Sequence, residues 1–256
     1  MRLVLDPGHG GKDPGAVGKT GLQEKTVNLD VALELAARMR ARGYEVWLTR
    51  SADQYVPLKD RVALANEVQA YLLLSLHVNS SASATNAYLS AHVRDLGGPA
   101  ERIARILLST LAATTGWPDG GVFVNNFFLL RESKVPALLL EMGFISNPSQ
   151  EEWLARSENR KLVAEALREG LEKALAPGGL TFSDIGGHWA QGAIEEAHRL
   201  GLVSGYPDGS FRPDQPATRA ELAVGLVRMW HRWERKGIAG HSQPQGAGGS
   251  HGPLEL

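Results

Sequence analysis

A chain of 256 residues with 43% hydrophobic content is long enough to bury one sizeable core and a second, smaller one. The formal net charge is -1, and acidic and basic side chains balance at 20 each over residues 1–176, so there is no basic stripe to follow a phosphate backbone and no bulk attraction to anionic lipid. The absence of cysteine excludes disulfides, thiolate metal sites and cysteine nucleophiles, and no run of about 18 apolar residues predicts a membrane span.

In chain order, short apolar runs at 3–6, 45–49, 70–78 and 136–141 predict strands, and amphipathic stretches at 26–42, 58–68, 99–115 and 150–176 predict helices. The runs are nearly continuous rather than alternating, which suits parallel strands buried on both faces. Gly43 is placed to end the first helix. The expectation is an α/β fold with a mostly parallel sheet covered by helices on both faces, followed by a small helical C-terminal module.

Four segments set chemically capable side chains against apolar runs: Leu5-Asp6-Pro7-Gly8-His9-Gly10-Gly11, Leu22-Gln23-Glu24-Lys25, Ser75-Leu76-His77-Val78-Asn79 and Leu140-Glu141-Met142-Gly143-Phe144. His9, His77 and Glu141 fall at the carboxyl ends of expected strands, where open α/β sheets bind their ligands. Two imidazoles and one carboxylate form a three-ligand zinc set with a position left open, and a further carboxylate remains to act as a base. Each residue also has a plainer reading alone: His9 as a turn residue, His77 as a hydrogen-bonded core histidine, Glu24 as an acid at a helix start. Glu141, behind an apolar run, needs a partner if buried. The glycine-rich loop does not read as a nucleotide cradle, because Asp13 stands where the third glycine of a dinucleotide loop belongs and Gly18-Lys19-Thr20 lacks its upstream glycine. A His-Glu-x-x-His helix is absent from the sequence.

These four motifs, in this order over about residues 1–175, resemble the zinc-dependent N-acetylmuramoyl-L-alanine amidases of bacterial cell walls. The resemblance implies one zinc ion held by His9, Glu24 and His77, catalysis by Glu141, and peptidoglycan as substrate, cut between the lactyl group of muramic acid and L-alanine. Asp6 is a candidate to orient His9, and Asn79 to face the substrate, beside readings as a turn residue and a strand end. The competing functions are a zinc peptidase cutting within the stem peptide and a non-catalytic wall-binding protein. An enzyme of this kind acts outside the cytoplasmic membrane, yet the sequence opens directly on a strand without a charged-then-apolar leader. That combination suits a phage-type lysin or a chain trimmed of its leader.

After a linker at 177–180 the character of the sequence changes. Residues 181–233 resemble a single S-layer homology repeat, which implies anchoring to a secondary polymer of the wall, with Trp189 and Arg219 as the candidate contacts. Trp189 is also a candidate core residue and Arg219 a candidate helix-start ion pair. The spacing of Thr218 and Glu221 predicts a capping box, Asp208-Gly209 reads as a plain turn, and the glycine-rich segment 234–256 is expected to be disordered.

Overall fold

The computed structural model describes residues 1–176, 182, 184–200, 202–206 and 210–235. The expected linker at 177–180, the Asp208-Gly209 turn and nearly all of the expected tail lie outside the described residues. The chain divides into two compact units, Met1–Asp214 and Gln215–Leu256.

The first unit is built on a six-stranded sheet: β1 (Arg2–Pro7), β2 (Glu45–Leu48), β3 (Leu72–Asn79), β4 (Leu89–Val93), β5 (Asp119–Val124) and β6 (Ala137–Phe144), in the spatial order β2-β1-β3-β6-β4-β5. β1, β2, β3 and β6 run parallel; β4 is antiparallel to β6, and β5 is parallel to β4. The chain leaves β1 outward to β2 and returns to β3 on the other side, so β1 and β3 flank a crevice at their carboxyl ends, the usual ligand position in such sheets.

Both faces of the sheet are covered. Leu3, Leu5, Leu74, Leu76, Leu138 and Leu140 turn to a core shared with α1 (Glu24–Ala41), α3 (Pro99–Thr115) and α6 (Ser157–Leu175). Val4, Leu73, Ala137 and Leu139 turn to the opposite face and meet α2 (Leu58–Glu67) and α4 (Phe128–Glu132). This two-sided burial is why the parallel strands read as unbroken apolar runs.

The mostly parallel sheet with helices on both faces agrees with the expectation, and the differences are local. β4, β5 and α4 were not expected: β4 is only five residues long with Ser90 and His92 in it, and β5 begins Asp119-Gly120-Gly121, a weak strand signal. The expected helix at 150–176 is two, α5 (Pro148–Ala155) and α6, because Arg156 is extended at φ -82, ψ 125. Asn147 caps α5 by accepting from the amides of Ser149 and Gln150.

Beyond α6, Phe182, Ile185 and Ile194 form a small core with Ala190 and Phe211, Ile194 lying on α7 (Gln191–Arg199). His198 of α7 meets the Tyr71 hydroxyl at 3.2 Å, just before β3 and at the opposite end of that strand from His77. The second unit holds α8 (Arg219–Arg235), opened by the expected capping box: the Glu221 amide donates to Thr218 Oγ1 at 3.2 Å, and the Thr218 amide donates to Glu221 Oε2 at 2.7 Å.

Leu74 is fully buried at the centre of the larger core. Leu74→Ala is expected to cost about 2–5 kcal/mol, read as a lowered denaturation midpoint; an unchanged midpoint would contradict the packing described.

Candidate metal centre

The site begins where β1 stops. The Gly8 amide continues the ladder to the Leu76 carbonyl at 3.0 Å, and the chain then turns sharply, with His9 at φ 61, Gly10 at φ 127 and Gly11 at φ 58. A positive φ at a non-glycine residue is uncommon and persists only where its surroundings enforce it. Two arginines do so here. Arg50, 1% exposed, donates to the carbonyls of Pro7 (2.9 Å), Gly8 (2.8 Å) and Lys25 (2.9 Å). Arg61 donates to the carbonyls of Pro7 (2.7 Å) and His9 (2.8 Å). Burial, and next the neighbouring Arg61 charge, lower the pKa of Arg50 from its ordinary value.

Asp6 is buried on β1, where it accepts from Thr49 Oγ1 (2.6 Å), Ser75 Oγ (2.7 Å) and Arg61 (2.7 Å). These contacts correct the expectation that Asp6 orients the His9 ring, since it reaches His9 only through Arg61 and the His9 carbonyl. The ring is met instead by Asp13, whose Oδ2 lies 2.9 Å from His9 Nδ1.

Glu24 is the first residue of α1 and only 5% exposed. Its Oε1 lies 2.9 Å from His77 Nδ1 and accepts from the Val78 amide at 3.1 Å. Its Oε2 lies 3.2 Å from His9 Nε2 and accepts from the Ala16 amide at 2.9 Å. The two imidazole rings stand edge to face, 5.0 Å apart at 79°. One donor atom from each of His9, Glu24 and His77 can be chosen so that all lie within 4.8 Å of one another, a group that could hold a metal ion.

The electrostatics follow from this contact. Burial opposes ionisation of Glu24, but hydrogen bonds from His77 and His9 and their positive charge outweigh it, and the carboxyl pKa falls well below the usual range. Burial likewise lowers the pKa of His9, yet Glu24 and then Asp13 dominate and raise it to about 9. The start of α1 also favours the Glu24 carboxylate through the helix dipole.

Glu141 sits directly across from His77 in the register between β3 and β6. Its Oε2 is buried and has no hydrogen-bond partner among the described residues. Burial, reinforced by the Glu24 charge and moderated by the two histidines, raises its pKa to about 7. A carboxyl group poised there can exchange a proton near neutral pH.

Glycines clear the space. A Cβ on Gly8 would clash with the His77 ring at Cε1, Nε2 and Nδ1, and one on Gly15 would come within 2.6 Å of Glu24 Oε2 and 2.7 Å of His9 Cδ2. The donor set of two imidazoles and a carboxylate, the unpartnered Oε2 of Glu141 and this glycine-lined clearance fit an ion of the zinc type. Asn79 ends β3 with its Oδ1 accepting from the Ser80 amide at 2.7 Å. Trp189 is 91% exposed, against its reading as core, and Arg219 is exposed as the first residue of α8. Asp13, Arg50, Arg61 and Gly8 were missed in the sequence; the signal for Asp13 was its place four residues after His9 in a glycine-rich loop.

An α/β sheet that gathers two imidazoles and a carboxylate at its strand ends, beside an acid poised near neutrality, is an arrangement suited to a hydrolase that could hold a metal ion. The profile of the family N-acetylmuramoyl-L-alanine amidase matches residues 3–173, and that of the S-layer homology domain matches residues 181–223. The chain belongs to the N-acetylmuramoyl-L-alanine amidase family and carries an S-layer homology domain. It is 39% identical over 176 residues to the sporulation-specific N-acetylmuramoyl-L-alanine amidase of Bacillus subtilis, covering 68% of each protein. It is 36% identical to the amidase LytC of the same organism over 66% of this chain and 34% of LytC. Among solved structures, it is similar to the catalytic domain of CwlV from Bacillus (Paenibacillus) polymyxa var. colistinus, with a TM-score of 0.64 and 35% identity over 68% of this chain and 97% of that one. The amidase AmiC2 of Nostoc punctiforme gives a TM-score of 0.65 at 34% identity, again over 68% and 97%.

Gly8→Ala is expected to displace the His77 ring and weaken zinc binding at least about tenfold, a loss of the size seen when supports of a metal ligand are removed. Titration of the refolded, chelator-treated variant with zinc measures this, and affinity equal to that of the unaltered chain would show that the clearance at Gly8 is not needed.

Proposed function

We propose that this chain is a zinc-dependent amidase in which His9, Glu24 and His77 hold the ion and Glu141 moves the proton, cutting peptidoglycan between N-acetylmuramic acid and L-alanine. The observation that carries the reading is the convergence of the three donor groups within 4.8 Å of one another beside a buried carboxyl oxygen that nothing else engages. The chemistry a bound zinc supplies is Lewis acidity, which polarises an amide carbonyl and makes water nucleophilic near neutral pH.

The chain's own residues do the rest. With its raised pKa the His9 ring carries a proton on both nitrogens until an ion would displace one; Asp13 at Nδ1 then favours keeping the proton there, so that Nε2, the nitrogen nearest Glu24, would be the donor. His77 presents Nδ1 to the same point. Glu141, with a pKa near 7, accepts a proton from the attacking water as its oxygen bonds to the lactyl carbonyl carbon. It then delivers that proton to the alanine nitrogen as the carbon–nitrogen bond breaks, so the acid returns to its starting state. Burial serves both halves of this cycle, because a fully ionised surface glutamate would hold the proton too weakly to give it to the amine.

The S-layer homology domain supports action at the cell wall, outside the cytoplasmic membrane, and binding to a secondary wall polymer. Among the described residues no helix is long and apolar enough to cross a membrane. Trp189, exposed and stacked beside His188 at 5.6 Å between ring centres, is the polymer contact we favour in the first unit, and Arg219 the one in the second.

Digestion of purified peptidoglycan tests the function: new amino-terminal L-alanine supports the amidase, whereas another new amino terminus supports a peptidase acting within the stem. Glu141→Gln is expected to keep zinc and lose at least about a hundredfold in turnover, and His77→Ala to lose zinc. Turnover of Glu141→Gln equal to that of the unaltered chain would remove the role given to this residue.

A further inference from the structure

The sheet face that carries His77 and Glu141 continues, past the site, onto strands the metal centre does not use. Ser90 on β4 lies opposite Glu141, and two residues along, His92 lies opposite Leu139 on one side and Phe123 of β5 on the other. Cross-strand partners share a face, so His92 and Phe123 stand on the same face as Glu141, about 6–7 Å further along the strand direction. Phe127, just before α4, closes the group: the His92 ring is 5.7 Å from Phe123 and 5.3 Å from Phe127. Both phenylalanines remain over 40% exposed, at 44% and 42%.

This cluster is assembled rather than incidental. Asn125 Nδ2 donates to His92 Nδ1 at 2.7 Å, which orients the ring and leaves the hydrogen of the neutral imidazole on Nε2. Burial, and secondarily the His77 charge, lower the His92 pKa from its ordinary value, which favours the uncharged ring. The result is a shelf of two aromatic rings, one neutral imidazole and one amide. Arg131, the nearby cation of α4, is directed to the Asn126 carbonyl at 3.2 Å and to Glu132 at 2.8 Å.

We infer that His92, Phe123 and Phe127 form a subsite for the sugar ring of the muramoyl residue, and so act as specificity-determining residues of the amidase reaction on which this inference rests. A pyranose presents a face of C–H bonds that packs on aromatic rings, with hydroxyl and acetamido groups at its edge for the donor and the amide. The length agrees: the lactyl bridge places the sugar ring three single bonds from the scissile carbonyl, and the shelf begins about two residues of strand from Glu141. The stem peptide, with its carboxylates, fits poorly against a neutral shelf whose neighbouring arginine is already engaged.

The test compares two substrates of the full chain, an N-acetylmuramoyl peptide and the same stem carried on a lactoyl group without the sugar. Phe123→Ala and Phe127→Ala are each expected to raise KM about tenfold for the muramoyl peptide and leave the lactoyl peptide unchanged, with kcat, zinc content and melting temperature retained. Phe127→Tyr, which keeps the ring, is expected to restore KM. Equal losses on both substrates, or no loss on either, would overturn the subsite. Binding of N-acetylmuramic acid to the Glu141→Gln chain, followed by calorimetry with and without Phe127→Ala, separates the two claims. If the unaltered chain releases no alanine terminus while Phe127-dependent sugar binding persists, the amidase reading fails and the sugar shelf stands. If alanine is released but the sugar binds equally to both chains, the shelf fails alone.

Discussion

The Glu24 carboxylate is the contact on which the site depends. It is taken out of water at the start of α1, and each of its oxygens is met by one imidazole and one backbone amide, from Val78 on one side and Ala16 on the other. That single group ties together the loop after β1, the first turn of α1 and the end of β3, three segments separated by more than fifty residues at their widest. A buried carboxylate with fewer partners would take up a proton, and the two histidines would then lose the one charge they share. Its strongly lowered pKa and the raised pKa of His9 are two expressions of the same interaction.

The geometry of that contact is set by a layer of charge behind it. Arg50 and Arg61 are both almost fully buried, and both direct most of their donors to backbone carbonyls, those of residues 7–9 among them, instead of to acids. Charge-assisted bonds to the backbone can hold a turn whose conformation is intrinsically disfavoured, and here they hold His9 at positive φ. Asp6 balances Arg61 while Thr49 and Ser75 satisfy its remaining capacity. The residues proposed to do chemistry are therefore few, and those that hold them in place are polar and come from β1, β3, α2 and the loop after β2.

The part of this arrangement legible in the sequence is the part that follows from two-sided burial. Strands covered on both faces must be apolar until they end, so His9, His77 and Glu141 stood out as polar groups at the ends of such runs. Glu24 was visible only through its resemblance to a family motif, because an acid at a helix start is common on other grounds. β4 and β5 escaped notice because Ser90, His92 and a glycine pair break up their apolar character, and with them went the aromatic shelf. Asp6 differs from its expected place because Asp13 meets the His9 ring while the Asp6 carboxylate is taken up by Thr49, Ser75 and Arg61, and such long-range pairings leave no mark in sequence order. Arg50 and Arg61 could not be found by motif at all: the groups they hold at the site are carbonyls, which every residue has, 25 to 54 residues away.

The central claim is that one divalent ion binds to two imidazoles and one carboxylate brought together by the fold. X-ray absorption at the zinc edge of the reconstituted full chain tests it most directly. The account predicts one zinc per chain in a shell of light atoms carrying the multiple-scattering signature of two imidazoles, falling to one imidazole in His9→Ala. An all-oxygen shell, or an imidazole count unchanged by that substitution, would contradict it.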